Sequence, residues 1–219
     1  AIRSNAVVYW DRDLVTGTLS NQRVISDPAS LTGARCVTVS PDGAPVYAVA
    51  RNAATVVYWD RNPETGTLTN QRLIVDSTNL NGVIWITTSP DGANLYAGTL
   101  AADTVVYWDR NQATGVLTNQ RVLSGPEIIN PLFLTTAPGG AHVFAVTQQS
   151  GGGDAVLFWE RDPETGTLSN QQRLEDSLLQ TPGSVTFSPD GRHVYASARG
   201  SDSIIWWTFA YGWPTWVEE

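Results

Sequence analysis

The residues of this chain that could do chemistry lie in loops between repeated segments. Arg51 and Arg199 occupy equivalent positions in two of these loops. A guanidinium there can hold a carboxylate or a phosphate through paired hydrogen bonds. Glu127 and Asp76, in a second set of loops, are the nearest acids in the pattern and could serve as general bases. These loops are therefore the first place to look for a ligand.

Two aromatic residues stand beside this set. One position of the innermost strand in each repeat is occupied in turn by Cys36, Trp85, Phe133 and Ser184, two residues before an unbroken column of threonines. Residues two apart share a face of a strand. Trp85 and Phe133 could form an apolar or sugar-stacking wall for a ligand. The pattern favours the other interpretation, in which they plug the axis of the repeats, because a small propeller must fill its channel.

The usual catalytic and metal-binding patterns are weak. His142 and His193 follow equivalent turns, which predicts surface hairpins rather than a catalytic triad. With two histidines and one cysteine, a zinc site is not expected. We predict no cofactor, and leave open a calcium site built from carboxylates and loop carbonyls. Asp27, Asp76 and Asp176 are equivalent, which favours turn capping over catalysis.

The elements that position these residues come from a repeat of about fifty residues. A β-branched pair, an aromatic residue and a tryptophan recur as VVYWDR, VVYWDR, VVYWDR, VLFWER and IIWWTF, with tryptophans at 10, 59, 108, 159 and 207. Within one repeat, four short runs rich in Val, Thr, Tyr and Ile are bounded by turn residues, which indicates strands. The turns include Ser40-Pro41-Asp42-Gly43 and a recurring Thr-Gly pair whose glycine is expected to take a positive φ.

Four antiparallel strands in every fifty residues predict an all-β fold, a β-propeller with about four to five blades. A β-solenoid is the alternative. We treat 1–219 as one domain, because an all-β domain of this length is ordinary. The repeats are placed at approximately 1–33, 34–82, 83–130, 131–182 and 183–219.

The phrases SPDG-x-x-VYA at 40–48 and V-x-YW-D-R-x-P-x-TG-x-L at 57–68 resemble the repeats of lactonase-type and YVTN-type bacterial propellers. The resemblance covers nearly the whole chain, but it rests on turn and strand motifs and so bears on fold more than on activity. It implies a hydrolase of a small cyclic ester at the channel rim. In that case Arg51 or Arg199 would polarise the carbonyl, and Glu127 or Asp76 would activate water.

The strand count poses a question about ring closure. The chain opens with a third and a fourth strand and ends with a first, a second and a third. The opening pair could complete the last blade by strand exchange, the tail YGWPTWVEE could supply its fourth strand, or the surplus strands could complete another chain. The sequence therefore leaves open a closed monomer and self-association through terminal strands.

Composition excludes some functions. The formal net charge of −8, with scattered arginines, argues against nucleic acid as a partner. No apolar run is long enough to span a membrane. The chain starts without methionine or a signal-type hydrophobic region, and we expect a secreted or extracytoplasmic protein whose signal has been removed.

Three functions remain open at this stage. The repetition and the weak catalytic motifs favour a non-enzymatic binding or assembly module that engages a protein or a glycan. The first alternative is the lactonase-type hydrolase. The second is a lectin that uses Trp85 or the terminal tryptophans.

Overall fold

The computed structural model describes residues 5–149 and 153–209, and all regular secondary structure in that part is β-strand. In chain order, the strands are β1 (Ala6–Arg12), β2 (Leu19–Ser26), β3 (Ala34–Val39), β4 (Pro45–Ala50), β5 (Thr55–Arg61), β6 (Leu68–Val75), β7 (Val83–Thr88), β8 (Asn94–Thr99), β9 (Thr104–Arg110), β10 (Leu117–Ser124), β11 (Pro131–Thr136), β12 (His142–Thr147), β13 (Ala155–Arg161), β14 (Leu168–Leu174), β15 (Pro182–Phe187), β16 (His193–Ala198) and β17 (Ser203–Thr208).

These strands form antiparallel sheets that follow one another along the chain. The first blade is β3–β6, the second is β7–β10 and the third is β11–β14. A two-stranded sheet, β1–β2, precedes them and is called here the partial sheet; a three-stranded sheet, β15–β17, follows and is called the last sheet. The innermost strands of successive sheets pack together, β3 on β7, β7 on β11 and β11 on β15. The predicted all-β propeller architecture is confirmed.

The second and third strands of each blade carry most of the core. In β5, the side chains of Val56, Val57, Tyr58 and Trp59 are all buried. Alternate residues face opposite sides of a sheet, and a sheet between two neighbours is covered on both faces. This is why the first four residues of each VVYWDR repeat, VVYW, are all apolar instead of alternating between apolar and polar.

The turns have the geometry that their sequences predict. In the first blade, the N–H of Gly43 donates to the carbonyl of Ser40 at 2.8 Å, and Gly43 has a φ of 74°. The Thr-Gly glycines also have positive φ, as at Gly66 (68°) and Gly115 (70°). A positive φ strains residues that carry a Cβ, so glycine fixes both turns.

Strand exchange between the termini, one of the alternatives for ring closure, does not form among the described residues. Within the described residues, β1 pairs only with β2, and β17 pairs only with β16. Trp10 of the partial sheet and Trp206 of the last sheet are 45% and 50% exposed, which shows that the two terminal sheets do not cover each other. The sheets thus form an arc. The alternative in which YGWPTWVEE supplies a fourth strand concerns residues 210–219, which lie outside the described residues.

The described part of the chain contains no helix with the length and apolar character needed to cross a bilayer.

Candidate functional site

The predicted aromatic pair lies at the loop end of the innermost strands. The rings of Trp85 on β7 and Phe133 on β11 are 4.1 Å apart between centroids, and their planes are inclined by 32°. The indole Nε1–H of Trp85 donates to the carbonyl of Leu134 at 2.8 Å. Both side chains are half-buried, so the pair is fixed in place and still partly open to solvent.

The column that contains this pair packs between sheets more than it points along the axis. Cys36 of the first blade lies 3.7 Å from the carbonyl oxygen of Ile86 in the second blade. Trp85 packs against the core that joins the second and third blades, and Phe133 against the core that joins the third blade to the last sheet. Burial raises the pKa of the Cys36 thiol, as expected for a small packed side chain.

Arg51 and Arg199 lie at the same end of the sheets as the aromatic pair. Arg51 directly follows β4 and Arg199 directly follows β16, and each is fixed by a backbone N–H that donates across the loop, to Gly33 and Thr181 respectively. Arg51 is half-buried and Arg199 is exposed. Within residues 5–149 and 153–209, neither guanidinium takes part in an ion pair or a side-chain hydrogen bond. Both cations are available to a ligand.

Asp76 and Glu127 serve a repeated contact between blades. The Nε1–H of Trp108 donates to Oε1 of Gln120 at 3.1 Å, and Nε2 of Gln120 donates to Oδ2 of Asp76 at 2.7 Å. Gln171 links Trp159 to Glu127 in the same way, and Gln71 links Trp59 to Asp27; we call each set a Trp–Gln–acid relay. The glutamines lie on the outermost strands β6, β10 and β14.

The relays separate the predicted acids from the predicted cations. No hydrogen bond or ion pair between described residues joins Asp76 or Glu127 to Arg51 or Arg199. The acids are bound to the outermost strands, which lie two strand spacings, about 9 Å, from the second strands that Arg51 and Arg199 follow. This geometry favours a structural role for both acids over the predicted activation of water.

Asp76 also caps the turn that follows β6. Its Oδ1 accepts hydrogen bonds from the backbone N–H groups of Thr78 and Asn79. Burial alone would raise the pKa of Asp76, but these bonds, with those from the Asn79 and Gln120 side chains, hold it below its ordinary value. Asp27 makes both contacts, with the N–H groups of Ala29 and Ser30, and Asp176 makes the first, with the N–H of Leu178, so each of the three aspartates caps its turn.

Two conservative substitutions distinguish the hydrogen-bonding roles of Asp76 and Glu127. In Asp76→Asn, the capping contacts fix the amide oxygen, so the amide nitrogen must face Nε2 of Gln120 and the relay breaks. Among the described residues, Glu127 accepts a hydrogen bond through Oε2 alone, so the amide in Glu127→Gln can turn and present its oxygen. We expect Asp76→Asn to lower the free energy of unfolding by about 1–2 kcal/mol and Glu127→Gln by less than about 0.5 kcal/mol. Urea unfolding measures both, and equal losses would contradict the relay.

Sequence reasoning missed the most buried charges of the chain. Arg110 and Arg161, the last residues of β9 and β13, are almost fully buried and each ion-pairs with the turn of the preceding blade, at Asp42 and Asp91. These pairs join residues 68 and 70 positions apart. The arginine in each VVYWDR or VLFWER phrase and the aspartate in each Ser-Pro-Asp-Gly turn were the signal, but only the packing of neighbouring blades brings them together.

Both histidines follow hairpin turns, as predicted, but neither side chain is fully exposed. His142 is half-buried beside the rings of Phe144, Phe158 and Phe209, at 6.1 to 6.4 Å between centroids. Burial lowers its pKa, which favours the neutral ring. In the described part of the chain, no three His, Cys, Asp or Glu side chains come together as metal ligands. The calcium site stays a prediction.

Solved structures resemble the arc along nearly its whole length. A putative 6-phosphogluconolactonase from Bacteroides uniformis matches with a TM-score of 0.77 and 17% identity over 97% of this chain and 63% of that one. The periplasmic gluconolactonase PpgL of Pseudomonas aeruginosa matches with a TM-score of 0.76 and 18% identity over 97% and 62%. The Cps50 (Swd1) β-propeller domain of Myceliophteria thermophila matches with a TM-score of 0.65 and 12% identity over 90% and 62%.

These likenesses show the fold, and the chain spans less than two thirds of the length of these lactonase-named structures. Among curated protein sequences, none matches the chain significantly. The family model described as lactonase, seven-bladed β-propeller, matches residues 4–187. The chain therefore belongs to the lactonase family of seven-bladed β-propellers.

Proposed function

We propose that this chain forms part of a lactonase-type propeller that binds a small, polyhydroxylated cyclic ester at the loop end of its innermost strands. The observation that carries the proposal is the fixed, half-open Trp85–Phe133 pair with two uncompensated arginines at the same end of the sheets. Membership of the lactonase family supports it, as do two similar structures that are named as gluconolactonases.

The aromatic pair suits the ring of a sugar lactone. Sugar rings present C–H groups on one face, which pack on an aromatic surface while the hydroxyl groups stay in water. The hydrogen bond from Trp85 to Leu134 removes the rotational freedom of the indole before a ligand arrives, so less entropy is lost on binding. The surface is thus preorganised for stacking.

The arginines suit the polar end of such a ligand. A guanidinium can donate two parallel hydrogen bonds to a carboxylate or phosphate substituent, or one to an ester carbonyl. The net charge of −8 repels anions from most of the surface. A local cation such as Arg199 is therefore needed if the lactone carries a phosphate or carboxylate group.

Hydrolysis would require water to add to the lactone carbonyl, the ring C–O bond to break and a proton to reach the departing ring oxygen. Arg199 or Arg51 would stabilise the negative charge that develops on the carbonyl oxygen. A general base must accept the proton from water, and the relays occupy the two acids first considered for that role. The proposal thus assigns recognition and charge stabilisation to the described residues and leaves the base unassigned.

The test is lactone hydrolysis by the purified chain. The rate of acid release from δ-gluconolactone and from its 6-phosphate, above the spontaneous rate, is followed in a pH-stat. We expect turnover to fall about 100-fold in Arg199→Ala, because a transition-state contact is lost. In Trp85→Ala we expect a rise in KM of about tenfold and a smaller change in kcat.

The matched control is Arg192→Ala, which removes an exposed arginine beside the Ser-Pro-Asp-Gly turn at the opposite end of the last sheet. Asp76→Asn and Glu127→Gln complete the set, since orders-of-magnitude loss of turnover in either would restore a catalytic role for the relay acids. Equal rates in Arg199→Ala and Arg192→Ala would remove the arginine assignment. A rate no faster than buffer alone would refute hydrolysis by this chain.

Ligand binding without turnover is the second candidate function. The engagement of Asp76 and Glu127 in structural hydrogen bonds favours it, because it leaves the rim without an assigned base. Quenching of tryptophan fluorescence by gluconate or by an unreactive sugar, lost in Trp85→Ala and unaccompanied by turnover, would identify a glycan-binding module. An extracytoplasmic location stays part of either proposal, and the similar Pseudomonas protein is described as periplasmic.

A further inference from the structure

Gly98 lies within β8, the second strand of the second blade, directly opposite Trp85 of β7. Its φ lies outside the left-handed region, so the backbone conformation is one that any residue adopts. Glycine in the interior of a strand weakens it, because glycine loses more conformational freedom on folding than other residues. Such a glycine commonly marks a close approach of another backbone.

The backbone that approaches Gly98 belongs to β11 of the third blade. A Cβ at position 98 would lie 2.4 Å from Cδ1 of Leu134 and 2.4 Å from the carbonyl oxygen of Pro131, whereas ordinary contacts begin near 3.4 Å. The Leu134 side chain can turn away, but the Pro131 oxygen moves only with the strand. Any side chain at position 98 would therefore push the start of β11 away by about 1 Å, the difference between these distances.

The equivalent positions of the other sheets carry side chains. Val49 lies opposite Cys36, Val146 opposite Phe133 and Ser197 opposite Ser184. Val49 and Val146 are both fully buried, so neighbouring sheets of this arc pack well with a valine at this position. The fold itself does not require glycine here, and the sheet that has it also carries the largest opposite residue, Trp85.

The close approach of β11 produces the two contacts that fix Trp85. Cross-strand partners share a face of the sheet, so Trp85 and Gly98 both face β11. The indole Nε1–H donates to the carbonyl of Leu134 at 2.8 Å. The rings of Trp85 and Phe133 are 4.1 Å apart, closer than the usual range of about 4.5–7 Å between aromatic centroids.

We propose that Gly98 is a positioning residue of the Trp85–Phe133 surface. Its missing side chain lets β11 lie close enough for the indole to bind Leu134 and to contact Phe133. A retreat of β11 by about 1 Å would stretch the indole hydrogen bond beyond its effective length. The indole would then regain rotational freedom, and a ligand that stacks on it would have to remove that freedom again.

This inference rests on the proposed function for its effect on a ligand, whereas its effect on the indole can be measured without one. Two-dimensional ¹H–¹⁵N NMR resolves the tryptophan Nε1–H signals, and the signal that is missing in Trp85→Phe belongs to Trp85. In Gly98→Ala we expect this signal to shift and its exchange with solvent to be about tenfold faster, because the hydrogen bond to Leu134 is lost. Gly125→Ala is the matched control, since no other atom lies within 4 Å of the added methyl group.

Binding of gluconate, followed by isothermal titration calorimetry, tests the effect on a ligand. Gly98→Ala should weaken binding about tenfold, and Gly125→Ala should leave it unchanged. A double-mutant cycle separates positioning from a general disturbance of the fold. If Gly98 acts through the indole, Gly98→Ala should cause no further loss in a chain that already carries Trp85→Ala.

A second variant keeps the test valid if Gly98→Ala does not fold. Leu134→Ala removes Cδ1 and with it the side-chain half of the overlap, while the Pro131 oxygen stays in place. Gly98→Ala made in the Leu134→Ala background, and compared with Leu134→Ala alone, should give the same change in the Trp85 signal.

Three results would overturn the proposal. These are an unchanged Trp85 signal in Gly98→Ala, equal changes in Gly98→Ala and Gly125→Ala, and losses of gluconate affinity that add in the double variant. If the parent chain does not bind gluconate, the proposed function fails and the NMR comparison alone decides the positioning role. If gluconate binds the parent and Gly98→Ala equally but not Trp85→Ala, the function stands and the positioning role is refuted.

Discussion

We expect Asp42→Ala to lower the free energy of unfolding by about 3 kcal/mol, because it leaves the guanidinium of Arg110 buried without its counter-ion. The Arg110 side chain is 0% exposed and that of Asp42 is 37% exposed. Removing one member of a buried ion pair commonly costs about 3–5 kcal/mol, and the partial exposure of Asp42 places this loss at the lower end. For a chain of this size the melting temperature should fall by about 6–12 °C.

Asp190→Ala is the matched control. Asp190 occupies the same turn position in the last sheet and makes the same turn contacts with Ser188 and Arg192. Among the described residues, its ion pair is with the exposed Arg192 guanidinium at 3.9 Å and not with a buried arginine. Its substitution should shift the melting temperature much less. Equal shifts in the two variants would assign the effect to the turn itself rather than to the ion pair with Arg110.

The effect of Asp42 should also depend on pH. Burial alone would raise its pKa, but hydrogen bonds from Ser40, Ala44 and Arg110 hold the pKa below the ordinary value of 3.8. A carboxyl group with a depressed folded pKa stabilises the fold above its unfolded pKa and loses this contribution as the pH falls through the folded value. The stability difference between the parent and Asp42→Ala should therefore be full at pH 7 and shrink below about pH 4.

The second large effect is expected from Tyr47→Phe, with a loss of about 2 kcal/mol in the free energy of unfolding. The Tyr47 hydroxyl accepts a hydrogen bond from Nε of Arg110 at 2.9 Å and donates one to the carbonyl of Gly115 at 2.8 Å. Burial raises the pKa of this hydroxyl to about 12, against the opposing effect of Arg110. Phenylalanine would leave the buried Nε–H of Arg110 without an acceptor.

Tyr96 occupies the equivalent position in the second blade, but Tyr96→Phe should not lower the free energy of unfolding. Its buried hydroxyl has no hydrogen-bond partner among the described residues. Arg161 directs Nε and Nη2 to Oδ1 of Asn94, which replaces Pro45 of the first blade. Removing an unpaired buried hydroxyl should leave stability unchanged or raise it slightly. Calorimetric melting of both variants checks the pair, and similar losses would refute this division of roles.

The fold could be predicted from the sequence because its determinants are local and repeated. The VVYWDR phrase marks a strand buried on both faces, and the Pro-Asp-Gly turns carry their own φ requirements. The Trp85–Phe133 contact could also be predicted, because two positions in register on neighbouring innermost strands must lie close together.

The roles of the polar residues could not be predicted, because they depend on which blades touch. Glu127 does not align with Asp27 and Asp76 in the sequence, yet it completes the same relay through Gln171. Asp42 and Arg110 look like ordinary turn and strand-end residues until the second blade packs on the first. Counting strands left exchange of terminal strands open as one of three alternatives, because a count does not include the packing of one sheet against the next.

The contact between the third blade and the last sheet has a different chemical basis from the two before it. Gly139 stands where Asp42 and Asp91 stand, Phe144 replaces the tyrosine, and Phe209 takes the position of Arg110 and Arg161. The rings of Phe144 and Phe209 are 5.5 Å apart, with Phe158 and Phe187 packed around them. The first two contacts between sheets contain buried ion pairs and the third contains packed aromatic rings, so we expect them to respond differently to added salt.

Added salt screens the partly exposed ion pairs Asp42–Arg110 and Asp91–Arg161, and the third contact has no such pair to screen among the described residues. Each of the three contacts buries an apolar cluster, so cooling weakens all of them. High ionic strength therefore moves the weakest contact of the arc towards its beginning.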